Sequence, residues 1–346
     1  LGRFAAAAAT PILLNVSLIA AIVALTPALE TAGHALAWGV FVAGIIQFLW
    51  LIEACRRAGM TFRLPRPRLN DRVKRLLILI LPGAIGAGVV QINMLIGIII
   101  ASHLPTGSVS YLYYADRIYQ LPLGVIGVAV GTALLPLLSR QLRAGEKADA
   151  MVSLNRALEL ALFLSLPAAA ALIVMPGPIV TVLFERGAFD ATAARATAEA
   201  LMAFSLGVPA YVLVKVLAPG FFAREDTRTP VVIATVCVAI NIALSLALMG
   251  SLRHVGIALA QAVSSWINAI LLAVFLRRRS FLVFGRQLKD KLARICLASI
   301  GMAATLFVAA SSLAPMLAGG TAARGVALAL AVAASVTGEA RLVMRQ

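Results

Sequence analysis

The sequence predicts an all-α, polytopic membrane protein of about ten transmembrane helices, and three observations carry that expectation. Hydrophobic residues make up 62% of the 346 and charged residues only 13%, about half the charge of an ordinary soluble domain. Mean hydropathy is +0.98. The apolar residues are grouped in runs close to the ~20 that a helix needs to cross a bilayer core. Lipid offers the backbone no hydrogen-bond partner, so only helices or a closed barrel can span it. The runs are rich in Ala and Leu and do not alternate as barrel strands do, which leaves helices. A soluble enzyme is excluded on the same grounds.

The expected segments are, in order, 4–26, 34–55, 76–102, 108–139, 152–175, 194–219, 230–250, 255–276, 292–313 and 322–338. Thr10-Pro11 and Thr229-Pro230 read as an N-cap followed by a first-turn proline, the position where a missing N–H costs least. Pro27, Pro176 and Pro315 sit near segment ends. Pro82, Pro122, Pro136, Pro167 and Pro209 fall inside apolar runs, where neighbouring groups in a bundle can satisfy the freed carbonyls. The last segment is barely long enough and begins beside Arg324.

The net charge of +16 resembles that of a nucleic-acid binder until it is placed on this topology. With a cytoplasmic start, the inner segments hold 24 of the 30 Lys and Arg, and the outer half holds five, counting Arg117. Lys215 lies within the sixth segment. That asymmetry is what the positive-inside rule requires of correctly counted spans. The charge is therefore topological, no nucleic-acid partner is expected, and both ends of the sequence face the cytoplasm. Cys55, Cys237 and Cys296 form no disulfide framework, and His34, His103 and His254 have no metal-ligand spacing.

Two helix pairs resemble each other. TPILLNVSLIAAIVAL, His34, a span and Arg56-Arg57 are matched by TPVVIATVCVAINIALSLAL, His254, a span and Arg277-Arg278, at offsets of 219, 220 and 221 residues. Steady spacing over about 50 residues favours duplication over compositional chance. Four helices precede the later pair and none the earlier, so the first four helices of a two-lobed fold are expected to be missing from this stretch. The organisation that follows has four parts. Residues 1–57 are the last two helices of an incomplete N-terminal lobe, and 58–75 a basic cytoplasmic linker. Residues 76–280 form a six-helix C-terminal lobe, and 281–346 two additional helices. Transporters built from paired halves bind their substrate between them.

The fourth segment, SVSYLYYADRIYQLPLGVIGVAVGTALLP (108–136), carries the most chemistry. Arg117 lies about nine residues in, roughly 13 Å deep at 1.5 Å per residue. An arginine at that depth must face protein or water, or pair with a carboxylate such as Asp116. Helical spacing puts Ser110, Tyr113, Tyr114, Arg117 and Gln120 on one face. Gln91 and Asn93 fall near mid-membrane, where amides serve either a substrate or neighbouring helices. Lys215 either reaches a cavity or snorkels to the interface. The candidate substrate-binding residues are thus Arg117, Asp116, Tyr113, Tyr114, Gln120, Lys215, Gln91 and Asn93. Arg224, Glu225, Asp226 and Arg228 read as a self-neutralising turn, and LFERGAFD (183–190) as a re-entrant or interfacial turn around Gly187. No nucleophile elbow, zinc-protease helix, phosphate-binding glycine loop or paired aspartates appear, so no catalytic or metal residue is assigned.

YYADRIYQLPLGVIGVAVGTALLP (113–136) resembles the lipid II flippases of the MurJ/MviN type, within the multidrug, oligosaccharidyl-lipid and polysaccharide exporter superfamily. The similarity extends through QINMLIGIIIASHLPTGSVS (91–110), LFERGAF (183–189) and VKVLAPGFFAREDTRTP (214–230), covering most of residues 1–280. The resemblance implies a fourteen-helix transporter with two six-helix lobes and two extra helices that form a groove for a lipid tail. It would move undecaprenyl-diphosphate-linked peptidoglycan precursor from the inner to the outer leaflet of the bacterial inner membrane by alternating access. Arg117 matches the family's cavity arginine in this motif, and Lys215 a recurrent lysine. Further cavity arginines belong to the family's first two helices, which the repeat places outside this sequence. Many members carry an acidic residue, linked to a coupling cation, where this sequence has Gly97. The resemblance implies no cofactor, coupling to membrane potential or a cation, and contacts with membrane lipid and cell-wall synthesis proteins. Physical chemistry agrees with the cargo, because a diphosphate suits a desolvated Arg. Export of drugs or of another lipid-linked polysaccharide, a membrane-embedded transferase, and a non-transporting scaffold stay open as rivals.

Overall fold

The computed structural model describes residues 5–29, 31–59, 74, 88, 91–282, 286–312 and 326. Every regular element among them is helical. The chain divides into two compact units, Leu1–Leu77 and Ile78–Gln346. Most of the basic linker, the first half of the third expected segment and nearly all of the tenth lie outside the described residues.

The first unit is a helical hairpin. Helix α1 (Thr10–Leu25) runs into a 3-10 turn (Thr26–Ala28) that takes up Pro27, and α2 (Ala32–Arg57) returns along it. Within lipid the tails are as apolar as the side chains, so close backbone approach, not burial of apolar area, holds such helices together. Here Ala35, Gly39 and Ala43 form a buried seam at four-residue spacing. A Cβ on Gly39 would come within 2.8 Å of the Ala21 methyl. The Thr31 hydroxyl caps α2 by accepting from the His34 backbone N–H at 3.3 Å. Thr10 itself is the first residue of α1, and Ala9 occupies the N-cap position that the Thr-Pro pattern assigns to the threonine.

The second unit holds α3 (Gln91–Ser102), α4 (Ser108–Pro122), α5 (Ala129–Arg143), α6 (Lys147–Val174), α7 (Pro176–Phe184), α8 (Ala191–Ser205), α9 (Val208–Phe222), α10 (Arg228–Arg278) and α11 (Arg286–Ser312). Helices α4 and α5 are one continuous 36-residue rod joined by a π-helical stretch, Leu123–Val128. Pro122 has no N–H to give, and wide turns of this kind absorb such a defect. Helix α10 has 51 residues, or roughly 76 Å at 1.5 Å per residue, far beyond one crossing of a ~30 Å core. It folds back at Arg253, whose φ of 52° and ψ of −132° are non-helical. A Cβ on Gly256 would lie 2.7 Å from the Leu248 carbonyl oxygen, so only glycine lets the turn close. The Ser264 hydroxyl donates to the Cys237 carbonyl at 2.5 Å and ties the two arms together.

Six described helices are long and apolar enough to cross a membrane, or seven when α8 and α9 count as one span. That pair is bent by 42°, so the sixth expected segment is two helices rather than one. The break falls at Leu206 and Gly207, and Pro209 in the first turn of α9 suits a fresh helix start. Helix α9 is the most enclosed element, packed on α5, α6 and α10. Its Val212, Val216 and Phe221 join one core with Leu154 and Leu276. Its Val208 and Tyr211 join a second with Ile118, Leu201 and Phe204.

The polar turn at 224–228 is not self-neutralising. Asp226 reaches out to pair with Arg279, more than fifty residues on, and Arg224 lies over the Phe281 ring at 4.1 Å. Asp226 also accepts from the Thr229 N–H at 3.0 Å and hydroxyl at 2.7 Å. The aspartate therefore caps α10, where Thr229-Pro230 predicts a threonine cap. Burial raises the Asp226 pKa, but the Thr229 hydrogen bonds and the Arg279 guanidinium outweigh it and hold the carboxyl below its ordinary value.

Candidate functional site

Helix α4 owes its arrangement to the two faces of YLYYADRIYQ. Ala115, Ile118 and Tyr119 turn into the core. Val109, Tyr113 and Leu121, at four-residue spacing, are exposed, and Arg117 lies on the same stripe with 46% of its side chain accessible. The Arg117 guanidinium carbon sits 4.7 Å from the centre of the Tyr113 ring. Its Nη2 is 3.9 Å from Asp116 Oδ2, the outer limit of an ion pair. Asp116 is occupied elsewhere: it accepts from the Gln120 side-chain amide.

The structure thus divides the face read from helical spacing. Tyr113 and Arg117 point outward together. Tyr114 instead enters an aromatic cluster, with ring centroids 4.8 Å from Phe184 and 5.1 Å from Phe189. Those two phenylalanines flank the 185–188 loop, where Gly187 has φ +60° and Asp190 caps α8 by accepting from the Ala193 N–H at 2.8 Å. Gln120 is spent on Asp116. Of the two amides of α3, Asn93 accepts from Asn241 Nδ2 at 2.9 Å across to α10, and Gln91 is exposed.

Lys215 is exposed on α9, and no hydrogen bond or ion pair to it is found among the described residues. Its stem lies along the π stretch, with its Cγ 3.4 Å from where a Gly127 Cβ would be, and its carbonyl oxygen comes within 3.0 Å of that position on Gly131. The glycines at 127 and 131 let α9 approach this rod closely. Arg117 is ten residues before Gly127, roughly 15 Å along the helix at 1.5 Å per residue, so the two cations stand at different depths. Gly97 lies in α3 with nothing within 4 Å of a Cβ. A separate cavity of about 340 Å³ opens between α7 and α8, lined by Thr181, Glu185, Arg195, Glu199 and Met202 among others. No cluster of three His, Cys, Asp or Glu able to hold a metal occurs among the described residues.

The arrangement can bind an anion. A half-exposed guanidinium inside an apolar rod, with its neighbouring carboxylate already bonded, has donors to spare for phosphate oxygens. Sequence spacing puts Tyr113 and Arg117 on one face, and the structure stacks them there. The spacing misses Tyr119, whose ring turns into the core against Phe204 at 5.0 Å. It also misses Tyr211, which packs 5.1 Å from Tyr119 across a gap of more than ninety residues that leaves no local signal.

Comparison with known proteins gives a consistent picture. The family model described as lipid II flippase MurJ matches residues 1–324. A probable lipid II flippase MurJ of Rhizobium meliloti (strain 1021) is 48% identical over 319 residues, covering 91% of this chain and 59% of the relative. The corresponding protein of Rhizobium tropici is 45% identical over 325 residues, covering 93% and 61%. The chain therefore spans about 60% of the length of the curated relatives it matches. Among solved structures, a lipid II flippase MurJ in the inward closed conformation superposes with a TM-score of 0.78 at 23% identity, over 97% of this chain and 67% of that one. An outward-facing multidrug resistance MATE family transporter of the MOP superfamily superposes at 0.50 and 18% identity, over 76% and 63%. At such identities these likenesses speak for the fold alone.

Proposed function

The chain belongs to the lipid II flippase MurJ family, and from that premise we propose that it serves to move an undecaprenyl-diphosphate-linked peptidoglycan precursor from the inner to the outer leaflet. The supporting observation is Arg117, a half-exposed cation within a span whose adjacent aspartate is bonded to Gln120. It is the group that would receive the diphosphate, with Tyr113 stacked beneath it. Lys215 supplies a second, deeper cation. Asp116 and Gln120 hold the arginine's surroundings, Tyr114 braces the outer loop, and Gln91 and Asn93 line the helix beside it.

In this reading the bundle counts ten spans. The two arms of α10 are separate crossings, and segments 76–102 and 322–338 complete the set. Residues 1–57 belong to one lobe of the family's two-lobed exporter fold, 58–75 to a basic linker, 76–280 to the other lobe, and 281–346 to two additional helices. The division at Leu77 and Ile78 supports this. The 24-to-5 distribution of Lys and Arg supports cytoplasmic placement of both ends in a bacterial inner membrane. Alternating access would be driven by membrane potential or a cation, and cell-wall synthesis proteins are its expected partners. Export of a drug or of another lipid-linked polysaccharide is the alternative, supported only by likeness of fold.

The test is complementation. Carried in a chain of full family length, these residues should sustain growth of bacteria depleted of their own lipid II flippase. Arg117→Ala should abolish that growth at ordinary expression, since a lost hydrogen bond to a charged group costs about 1.5–3 kcal/mol, more than about tenfold in rate. Full growth of the Ala variant would overturn the assignment of Arg117.

A further inference from the structure

One face of α8 changes character along its length. Ala194, Thr197, Ala198 and Leu201 are buried in the bundle. Arg195, Glu199, Met202 and Leu206 follow one another at four- and three-residue spacing and are all exposed. From Arg195 to Met202 this stripe passes from charge to apolar side chain in roughly 10 Å, at 1.5 Å per residue. Arg195, Glu199 and Met202 line the cavity of about 340 Å³ that α8 forms with α7. The bilayer places that cavity. Helix α6 has 28 residues, roughly 42 Å, which exceeds the ~30 Å hydrocarbon core. Helix α7 starts just beyond its end, at Pro176, so the charged end of the stripe stands at headgroup level. Its charges are unspent: among the described residues, neither the Arg195 nor the Glu199 side chain takes part in a hydrogen bond or ion pair. An arginine four residues before a glutamate is also the weaker order for a helical pair.

We propose that the cavity between α7 and α8 binds a phospholipid whose headgroup carries a primary ammonium beside its phosphate, as phosphatidylethanolamine does. Arg195 meets the phosphate through charge-assisted hydrogen bonds. Glu199 accepts from the ammonium, and the lining adds a second carboxylate, Glu185, and the Thr181 hydroxyl. The acyl chains run on past Met202 and Leu206, the direction in which the stripe turns apolar. Two carboxylates against one guanidinium disfavour a headgroup with only negative charge, and a quaternary ammonium has no N–H to give. A water-soluble compound with the same two charges would gain the polar contacts and forgo the apolar ones, so the occupant is the lipid. The site stands apart from Arg117 and does not depend on what cargo that arginine receives.

Native mass spectrometry of the purified chain, released from detergent micelles, tests the proposal. The probes are short-chain phosphatidylethanolamine, phosphatidylglycerol and phosphatidylcholine, with glycerophosphoethanolamine as the headgroup without chains. Phosphatidylethanolamine should bind about fivefold more tightly than the other two lipids, and glycerophosphoethanolamine at least about tenfold more weakly than its lipid. Arg195→Ala should weaken phosphatidylethanolamine by about tenfold, the effect of losing a charged hydrogen-bond partner. Glu199→Gln should leave phosphatidylglycerol binding intact and cut the preference for phosphatidylethanolamine over it to about twofold or less, which a merely structural glutamate would not do. Both residues are exposed, so neither change disturbs the core. Arg186→Ala is the control, an exposed cation of the same loop region outside the cavity lining, and should change none of these affinities. Equal binding of the three lipids by the wild type, or a preference that survives Glu199→Gln, overturns the proposal. So does an equal loss in Arg186→Ala and Arg195→Ala, which would reduce the effect to general surface charge. Glycerophosphoethanolamine bound as tightly as the lipid overturns the lipid as occupant.

Discussion

The hairpin at residues 10–57 and the one at 228–278 are written in nearly the same sequence pattern and held together by different forces. Each opens on Thr-Pro, has a histidine near its turn and ends in paired arginines. The first turns through a 3-10 stretch and an extended residue, Leu29. Its helices meet on a small-residue seam, and large side chains such as Ile12, Val23, Phe41 and Phe48 are exposed around it. The second turns at the single residue Arg253 and is threaded with polar ties, from Asn241 to α3, Ser264 to its own first arm and His254 to α8. A duplicated pattern specifies a hairpin. What the hairpin's polar groups do depends on the helices packed around it.

The sharpest way to break the comparison is to add one methyl group to each turn. Gly256→Ala drives a Cβ toward the Leu248 carbonyl, a backbone atom that cannot move aside. Overpacking of this kind costs about 1–3 kcal/mol, and reversible unfolding in detergent should read a loss at the upper end. Gly39→Ala meets the Ala21 side chain instead. Its loss should be smaller and should vanish in Gly39→Ala with Ala21→Gly. A Gly256→Ala protein as stable as the wild type would mean that the second turn does not depend on close approach. The histidines come next. His254 Nε2 pairs with the Ala196 carbonyl at 2.9 Å, and its ring lies 5.5 Å from Tyr111. His254→Ala should cost about 1 kcal/mol or somewhat more, for a lost and partly buried hydrogen bond. Among the described residues His34 pairs only with Thr31, three residues away and exposed, so His34→Ala should stay within about 0.5 kcal/mol. Equal losses would erase the distinction between the two hairpins.

The all-helical membrane class, the positions of most helices and the shared face of Tyr113 and Arg117 were legible because they are local. Apolar runs, proline positions and three- or four-residue spacing depend on nothing far away. Several features were not legible, each for the same physical reason. The cap of α10 was expected at Thr229 and is Asp226, because the pairing with Arg279 that orients the aspartate comes from fifty residues downstream. The bend between α8 and α9 lies inside a run whose hydropathy is continuous. Tyr114 shares a helical face with Arg117 on paper but is drawn away by Phe184 and Phe189. Asn93, a candidate for the cargo, is engaged by Asn241 at a separation of 148 residues. In a membrane bundle every span looks apolar, so partner choice rests on single polar atoms and on glycines, and hydropathy carries no record of it.

The smallest predicted difference concerns how the two hairpins begin. Helix α10 starts under a carboxylate held below its ordinary pKa, whereas α1 starts after Ala9 with no side-chain cap. A depressed carboxyl contributes stability that is fully present above its unfolded value, near 3.8, and is lost as pH falls through the lower folded value. Acidification should therefore loosen residues 228–232 and leave 10–14 without a matching step, as read by amide hydrogen exchange along both helix starts. The size is that of one cap, about 1 kcal/mol. Asp226→Asn keeps an oxygen that can accept from Thr229 but has no proton to gain in this range, so the first turn of α10 should still form while its acid step disappears. If the step survives in Asp226→Asn, some other group titrates there, and the contrast between a capped and an uncapped start is not the source of the difference.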